Sequence, residues 1–303
     1  MKRHGYLIFA ILILAVVGGC APAATPPPAT TAPTQVENAD LWQLVLQRDI
    51  EQPMRIAAFL DESFGLTGGS ADVGRAHVTT DGGQTWTLAE SSEGCLFGLD
   101  IVDTQVVWQC SLGPAGVSTD GGQTWQTVTE YGNCRQMSFL DAQTGWIATR
   151  DQIGMTVDGG QTWADVTLPT GVENILAVSL RTPTEGYLVD STGVLHVTQD
   201  GGQSWASHPT GLDLECILIP DRDTASAAVR FTDADHGLVA VHLTGGLSSR
   251  VVARRTTDGG QTWEQEEVME VPLLVALYLS PDGSVLTVTD HTESRVIVLR
   301  HAE

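Results

Sequence analysis

Five aspartates recur in nearly identical surroundings, where a carboxylate could act as an acid–base group or as a turn former. Each lies in a box of the form Ser/Thr-x-Asp-Gly-Gly-x-Ser/Thr-Trp, as in Thr79–Trp86, "TTDGGQTW". The Asp and Trp residues of the five boxes are Asp81 and Trp86, Asp120 and Trp125, Asp158 and Trp163, Asp200 and Trp205, and Asp258 and Trp263. Fivefold repetition favours a structural role over a catalytic one. Asp-Gly-Gly between two β runs predicts a tight hairpin turn, and the carboxylate can accept hydrogen bonds from the backbone N–H groups of that turn.

Arginines form a second set of residues that could take part in binding. Arg55 and Arg135 each stand six residues before a turn aspartate, so we expect both at the start of a strand beside a central channel. Such a pair can grip a carboxylate, or it can pair with the chain's own acids. Two insertions of the fifth repeat, about Ala206–Ala225 and Leu243–Arg250, are predicted to lie on the same face, opposite the boxes. The candidate binding residues are Arg55, Arg135, Arg222 and Arg250.

Cysteines are the third set. Beyond Cys20 the chain has four cysteines, Cys95, Cys110, Cys134 and Cys216. An even number of cysteines in an exported protein predicts disulfides. A hairpin centred on residues 102–103 would place Cys95 opposite Cys110, and Cys134 would then pair with Cys216. Pairing of Cys95 with Cys134 is the alternative. The sequence has no C-x-x-C or Cys/His cluster, so we expect no metal and no cofactor.

The first forty residues indicate export. Residues 1–19 combine a basic start with the apolar run Leu7–Val17, which is too short to span a bilayer as a helix. "VVGGC" resembles the lipobox of bacterial lipoproteins, which implies lipidation of Cys20 and attachment to the outside of a bacterial cell membrane or outer membrane. Residues 20–40 then form a Pro/Thr/Ala-rich tether, and residues 41–303 form the folded domain.

The charge of the chain restricts its partners. Once residues 1–19 are removed, 37 acidic residues face 13 arginines and no lysine, a formal charge of −24. Such a surface repels nucleic acid and anionic lipid headgroups. We therefore expect the chain to bind no nucleic acid, to contact the membrane through its lipid anchor alone, and to be a monomer.

The box spacing predicts the architecture. Successive box aspartates are 39, 38, 42 and 58 residues apart, and a period near 40 with several short strands per unit is typical of a β-propeller. Five boxes give five four-stranded antiparallel blades. The segment after Leu273 supplies three further strands, and Leu41–Gln47 supplies the fourth, because Trp42 matches the position of a box tryptophan. The prediction is an all-β propeller with six blades, the last closed by the N-terminal strand; seven blades is the alternative count.

The boxes also carry a resemblance. They resemble the Asp-box, or BNR repeat, of sialidases and sortilin-type receptors, and the wider pattern of Phe139–Trp163 is most similar to BNR propellers of the photosystem II assembly-factor type. The resemblance implies a non-catalytic platform that binds a protein, peptide or glycan. The alternative is a sialidase-like or other glycoside hydrolase. Against it, Met54–Ala57, "MRIA", lacks the aromatic residue and the proline of the sialidase F/Y-R-I-P segment.

Overall fold

The computed structural model describes residues 41–302 apart from internal gaps. Outside the described residues are 1–40, 51–53, 70–75, 90–95, 112–113, 129–130, 132, 213, 215–226, 246–247, 272–274, 291–293 and 303. The lipidation candidate Cys20, the binding candidate Arg222, and two cysteines, Cys95 and Cys216, therefore lie outside them. In the part described, every regular element is a β-strand, and no helix is long and apolar enough to cross a membrane.

The described strands form six four-stranded sheets, which are the predicted blades. Blade 1 contains β2 (Met54–Phe59), β3 (Gly65–Gly69), β4 (His77–Thr79) and β5 (Thr87–Leu88). Blade 2 contains β6 (Leu96–Ile101), β7 (Val107–Ser111), β8 (Gly116–Ser118) and β9 (Gln126–Thr127). Blade 3 contains β10 (Gln136–Phe139), β11 (Gly145–Ala148), β12 (Ile153–Thr156) and β13 (Ala164–Val166).

The remaining blades are longer. Blade 4 contains β14 (Ile175–Leu180), β15 (Gly186–Asp190), β16 (Val194–Thr198) and β17 (Ala206–Pro209). Blade 5 contains β18 (Ala227–Phe231), β19 (Gly237–Gly245), β20 (Ser248–Thr256) and β21 (Glu264–Val271). Blade 6 contains β22 (Val275–Leu279), β23 (Val285–Asp290), β24 (Arg295–His301) and, as its outermost strand, β1 (Trp42–Asp49). The first strand of each blade along the chain, or β22 in blade 6, is called here its inner strand.

The two insertions of the fifth repeat are partly strand. Residues 206–209 form β17, so the first insertion begins only after Pro209. The second insertion extends the nine-residue strands β19 and β20, so its described residues belong to a long hairpin of blade 5. Residues 243–245 continue the ladder with residues 248–250, so the described part of the second insertion is paired strand.

The ring is closed by pairing of the two ends of the chain. Strand β1 runs antiparallel to β24, from Trp42 opposite His301 to Asp49 opposite Arg295. This confirms six blades and the predicted closing strand. Six apolar clusters form the core, one between each pair of adjacent blades, so each sheet buries both faces. The buried carboxylate of Glu266 in blade 5 accepts a hydrogen bond of 2.9 Å from Trp42 Nε1 in blade 6.

Each box builds its turn with its own side chains, as the third box shows. The Asp158 carboxylate accepts hydrogen bonds from Thr162 N at 2.9 Å and Thr162 Oγ1 at 2.6 Å, and Thr156 Oγ1 accepts one from Gly160 N at 2.8 Å. Gly159 and Gly160 have φ of 73° and 76°, which side chains rarely adopt. The bonds from Thr162 hold the pKa of Asp158 at about 2. The same bonds recur at the other four aspartates.

The disulfide pairing differs from the prediction. Cys110 is bonded to Cys134, which joins blade 2 to blade 3, so the predicted pairs Cys95–Cys110 and Cys134–Cys216 and the alternative Cys95–Cys134 were wrong. The hairpin between β6 and β7 is wider than the assumed two-residue turn, because the Asp103 carboxylate accepts hydrogen bonds from the N–H groups of residues 105 and 106. The resulting register places Gly98 opposite Cys110. A Cβ on Gly98 would lie 2.9 Å from Cys110 Sγ, so glycine leaves room for the bond.

The closing strand gives a first prediction. A chain that begins after Asn38 should keep the stability of the folded domain, whereas one that begins after Gln47 should lose most of β1 and expose the edge of β24. We expect the shorter chain to aggregate or to melt at a much lower temperature, measured by differential scanning calorimetry. Equal melting temperatures for the two chains would contradict closure by β1.

The box turns give a second prediction, on pH. Because the folded-state pKa of Asp158 is about 2 and its ordinary value is 3.8, its contribution to stability is present above about pH 4 and is lost as the pH falls towards 2. Asp158→Ala should therefore have a lower melting temperature than the unmodified chain at pH 7. The difference between the two melting temperatures should become smaller as the pH falls from 4 to 2. Glu173→Ala, at an exposed position, is the control and should show no such narrowing. A difference in melting temperature that does not change with pH would show that the ionised carboxylate does not stabilise the turn.

Candidate functional site

The boxes mark one face of the ring. In blade 1 the turn after the inner strand and the box turn touch, since Gly82 N donates to Ser63 O at 2.9 Å. The same contact recurs in blades 2 to 5, so these turns share one face, here called the box face. Each inner strand ends at the box face and therefore begins at the opposite one. The channel mouth is defined as the end of the central channel at the first residues of the inner strands.

A small cavity lies in the channel between the mouth and the box face. Its volume is about 30 Å³, which is room for about two water molecules. Arg135, directly before β10, lines it on the mouth side. Arg230 and Tyr278, each the fourth residue of a five-residue inner strand, line it nearer the box face. A cavity of this size has no room for a peptide.

Buried polar side chains close the channel below the cavity. The Arg230 guanidinium of blade 5 forms an ion pair with Asp100 of blade 2, on the opposite side of the six-bladed ring. It also donates to Ser138 Oγ in blade 3 at 2.9 Å and to Leu279 O in blade 6 at 3.3 Å. Four of the six blades are thus held together by one side chain. These groups, with the hydroxyl of Tyr278, are called here the channel plug.

The plug also fixes neighbouring backbone. Asp100 Oδ2 accepts a hydrogen bond of 2.6 Å from Phe139 N, and Ser138 Oγ accepts one of 2.9 Å from Leu180 N. Tyr278 OH, in blade 6, accepts from the N–H of Ile101 and donates to its carbonyl at 3.1 and 3.2 Å. The inner strands of blades 2, 3, 4 and 6 are therefore tied together by side chains that reach across the channel.

The electrostatics of the plug follow from its burial. Burial lowers the pKa of Arg230, but the charge of Asp100, the interaction with Tyr278 and the hydrogen bonds to both together outweigh it, so the pKa is raised above its usual value. Burial raises the pKa of Asp100, and the charge of Arg230 and the Phe139 N–H act against that rise. The guanidinium keeps its charge, and its ion pair with Asp100 leaves little net charge at the bottom of the cavity.

The structure separates the predicted binding arginines. Arg55, at the irregularity near the start of β2, and Arg135 are half-buried at the starts of inner strands on blades 1 and 3. Arg250 is exposed on the third strand of blade 5, with its Nη1 3.6 Å from Glu267 Oε1. It therefore lies outside the ring of inner strands. Of the described candidates, Arg135 is the one that lines the cavity.

Sequence reasoning missed the plug. The candidates selected from the sequence include neither Arg230 nor Asp100. The available signal was a charged residue inside an apolar inner strand, as in "FGLDIV" and "AAVRF". Two such residues of opposite charge in different blades predict a buried pair, because an isolated charge there would be too costly. In the part of the chain that is described, no group of three or more His, Cys, Asp or Glu side chains could hold a metal ion.

The plug gives a third prediction. Arg230→Met leaves the Asp100 carboxylate buried without its counter-ion, so we expect a loss of about 3–5 kcal/mol in the free energy of unfolding. Adding Asp100→Asn should recover much of that loss, since no uncompensated charge remains. Urea denaturation of the two single variants and the double variant measures the coupling. Strictly additive losses would contradict an ion pair across the channel.

Comparisons with known proteins agree with this architecture. Residues 122–214 match the family described as photosynthesis system II assembly factor YCF48, and residues 77–88 match the BNR/Asp-box repeat. No curated protein matches the chain. A structure of YCF48 bound to D1 peptide is 16% identical with a TM-score of 0.51, covering 87% of this chain and 98% of that one.

Two further structures have TM-scores of 0.49. YCF48 from Cyanidioschyzon merolae is 18% identical, covering 86% of this chain and 98% of that one. An ancestral GH74 enzyme is 15% identical, covering 82% of this chain and 36% of that one. The protein is a six-bladed β-propeller of Asp-box repeats, and its residues 122–214 match the YCF48 family of photosystem II assembly factors.

Proposed function

We propose that this protein is a non-catalytic binding or assembly platform that takes a peptide segment of a partner protein across the channel mouth. The observation that carries the proposal is the match of residues 122–214 to the YCF48 family, because a YCF48 of the same fold is known in a complex with a D1 peptide. The matched segment contains Arg135 and Ser138, which belong to the channel mouth and the channel plug.

Three features of the ring support the mouth as the binding surface. The box carboxylates already accept hydrogen bonds within their own turns, so they are not free acceptors for a ligand. The cavity is too small to admit a chain, so a bound peptide is kept at the surface. Arg135 supplies a cation at the rim of a protein that otherwise carries a large negative charge. A peptide with a carboxylate near Arg135 would gain a charge-assisted contact.

The location of this platform is part of the proposal. A lipid anchor on Cys20 followed by the tether of residues 20–40 would hold the ring outside the cell, some tens of ångströms from the membrane. A partner embedded in that membrane could then present an exposed segment to the mouth. Metabolic labelling with a fatty-acid analogue tests the anchor, since Cys20→Ser should abolish labelling.

A fourth prediction tests the mouth. The full chain is used to capture partners from detergent-solubilised membranes, and binding of a synthetic D1 peptide is measured in parallel by fluorescence anisotropy. Arg135→Glu should weaken binding about tenfold or more, since it replaces an attraction at the rim by a repulsion. Arg300→Glu is the matched control, because Arg300 is a half-exposed arginine that pairs at 3.0 Å with Glu62 in a turn of the box face.

The two charge reversals have equal effects on net charge, so they separate a local contact from general repulsion. Binding that survives Arg135→Glu, or that is lost equally in Arg300→Glu, would contradict a site at the mouth.

A further inference from the structure

A chain of three polar side chains crosses blade 4 outside the channel. His196 Nε2 lies 3.0 Å from Asp190 Oδ2, and His196 Nδ1 lies 2.9 Å from Ser207 Oγ. Asp190 and His196 are 4% and 5% exposed, whereas Ser207 is exposed on the outermost strand. A carboxylate, an imidazole and a hydroxyl in this order are the parts of a base-activated serine.

The strand register brings these groups together. His196 on β16 and Ser207 on β17 are direct cross-strand partners. Three pairs further along the ladder, Thr210 N donates to Gly193 O, so the alternation of an antiparallel ladder makes His196 and Ser207 a non-hydrogen-bonded pair. Side chains approach each other more closely at such pairs, which suits the contact between the imidazole and the hydroxyl.

The turn after β15 orients the carboxylate. Asp190 Oδ1 accepts hydrogen bonds from Thr192 N at 2.9 Å and Val194 N at 3.1 Å, and this leaves Oδ2 facing His196. Burial acts to raise the pKa of Asp190, but the hydrogen bonds from His196 and this turn hold it at about 2. The group is therefore an ionised carboxylate at neutral pH.

The ionised carboxylate determines the tautomer of the neutral imidazole. A carboxylate only accepts hydrogen bonds, so Nε2 carries the proton and Nδ1 presents its lone pair to Ser207. The Ser207 hydroxyl then donates its proton to Nδ1, and its own lone pairs are left on the exposed side. This is the arrangement in which an imidazole acts as a general base towards a serine.

We propose that Ser207, away from the binding surface at the mouth, is a nucleophile that takes up one acyl group from a reactive carboxylic ester without turnover, with His196 as its general base and Asp190 as the residue that positions the imidazole. Ser207 Oγ attacks the ester carbonyl carbon while its proton passes to His196 Nδ1. The bond between the carbonyl carbon and the alcohol oxygen then breaks, and the alcohol leaves with that proton. The product is an acylated Ser207 with no oxidant or further reactant required.

The backbone at Ser207 supplies a donor for the developing oxyanion. Because Ser207 and His196 form a non-hydrogen-bonded pair, the N–H of Ser207 points away from β16. Strand β17 is the outermost strand of its sheet, so this N–H lies at the sheet edge, beside the hydroxyl of the same residue. A backbone N–H at this position can stabilise the negative charge that forms on the carbonyl oxygen.

The other blades show that a box turn forms without a histidine and a serine at these two positions. Position 196 lies two residues before the first box residue, and the same position is Gly116 in blade 2 and Gly154 in blade 3. Blade 1 has a histidine there, His77, but its cross-strand partner is Leu88, which has no hydroxyl. Among the described blades, therefore, blade 4 alone pairs a histidine with a serine at these positions.

The test labels the full chain with a fluorophosphonate, a phosphorus electrophile that traps activated serines. Ser207 Oγ attacks phosphorus, the P–F bond breaks, and fluoride leaves as the proton passes to His196. Peptide mapping by mass spectrometry should place the adduct on Ser207. Ser284 is an internal control, because its hydroxyl contacts the Asp282 carboxylate at 2.8 Å instead of an imidazole.

Two variants separate reactivity from folding. Ser207→Ala, at an exposed position, should abolish the adduct without loss of thermal stability. His196→Gln should lower the labelling rate on the order of 10²-fold while the melting curve confirms a folded chain. A folded unmodified chain that is not labelled at Ser207, equal labelling of Ser284, or an undiminished rate in His196→Gln would overturn the proposal.

The role of Asp190 has its own readout. In Asp190→Asn the side-chain oxygen can still accept from the turn, but the amide donates towards His196 and should move the imidazole proton to Nδ1. The ¹⁵N chemical shifts of the ring should show Nε2–H in the unmodified chain and Nδ1–H in the variant, together with a slower labelling rate. An unmodified chain with the proton on Nδ1 would contradict the proposed base.

Discussion

Strand β1 hydrogen-bonds along most of β24, and this pairing joins the two ends of a chain that would otherwise end in an open sheet. Because the ring is closed, each of the six blades buries both of its faces against neighbours. Trp42 at the start of β1 is buried and donates to Glu266 in blade 5, so the closing strand also fastens the seam between blades 5 and 6. Everything that depends on fixed distances across the channel depends on this closure.

The closed ring gives its two faces different chemistry. On the box face, the carboxylates of the repeats accept hydrogen bonds inside their own turns. On the other face, the inner strands begin, and their first residues surround the channel mouth with Arg135 at its rim. Between the faces, the ion pair of Arg230 with Asp100 closes the channel. A partner peptide would therefore meet a rigid rim and a shallow floor, which keeps the ordering cost of binding low.

Much of the fold could be predicted from the sequence because its signals are local. Five boxes, the first four spaced by about 40 residues, specify five blades, and the unassigned strands at the two ends specify the sixth. The disulfide was mispredicted because the carboxylate of Asp103 widens the hairpin and shifts the partner of Cys110 to Gly98. That shift depends on one side chain's hydrogen bonds, which strand patterns do not reveal.

The candidate site was harder to predict from the sequence, because its contacts join residues far apart in the chain. Arg230 and Asp100 are 130 residues apart, and nothing near either residue indicates its partner. The set of Asp190, His196 and Ser207 lies within one blade, yet it becomes visible only once the register of β16 and β17 is known. The arginines at 55 and 135 were placed by their distance from turn aspartates, and that local rule located the starts of inner strands on blades 1 and 3.

The central claim is that a partner peptide lies across the channel mouth and leaves the box face free. Hydrogen–deuterium exchange of the full chain, with and without bound partner, tests it most directly. The account predicts slower exchange at the starts of the inner strands, in residues 54–57 and 133–137, with no change in the box turn of residues 156–163. Protection of the box turns with unchanged exchange at the mouth would contradict it.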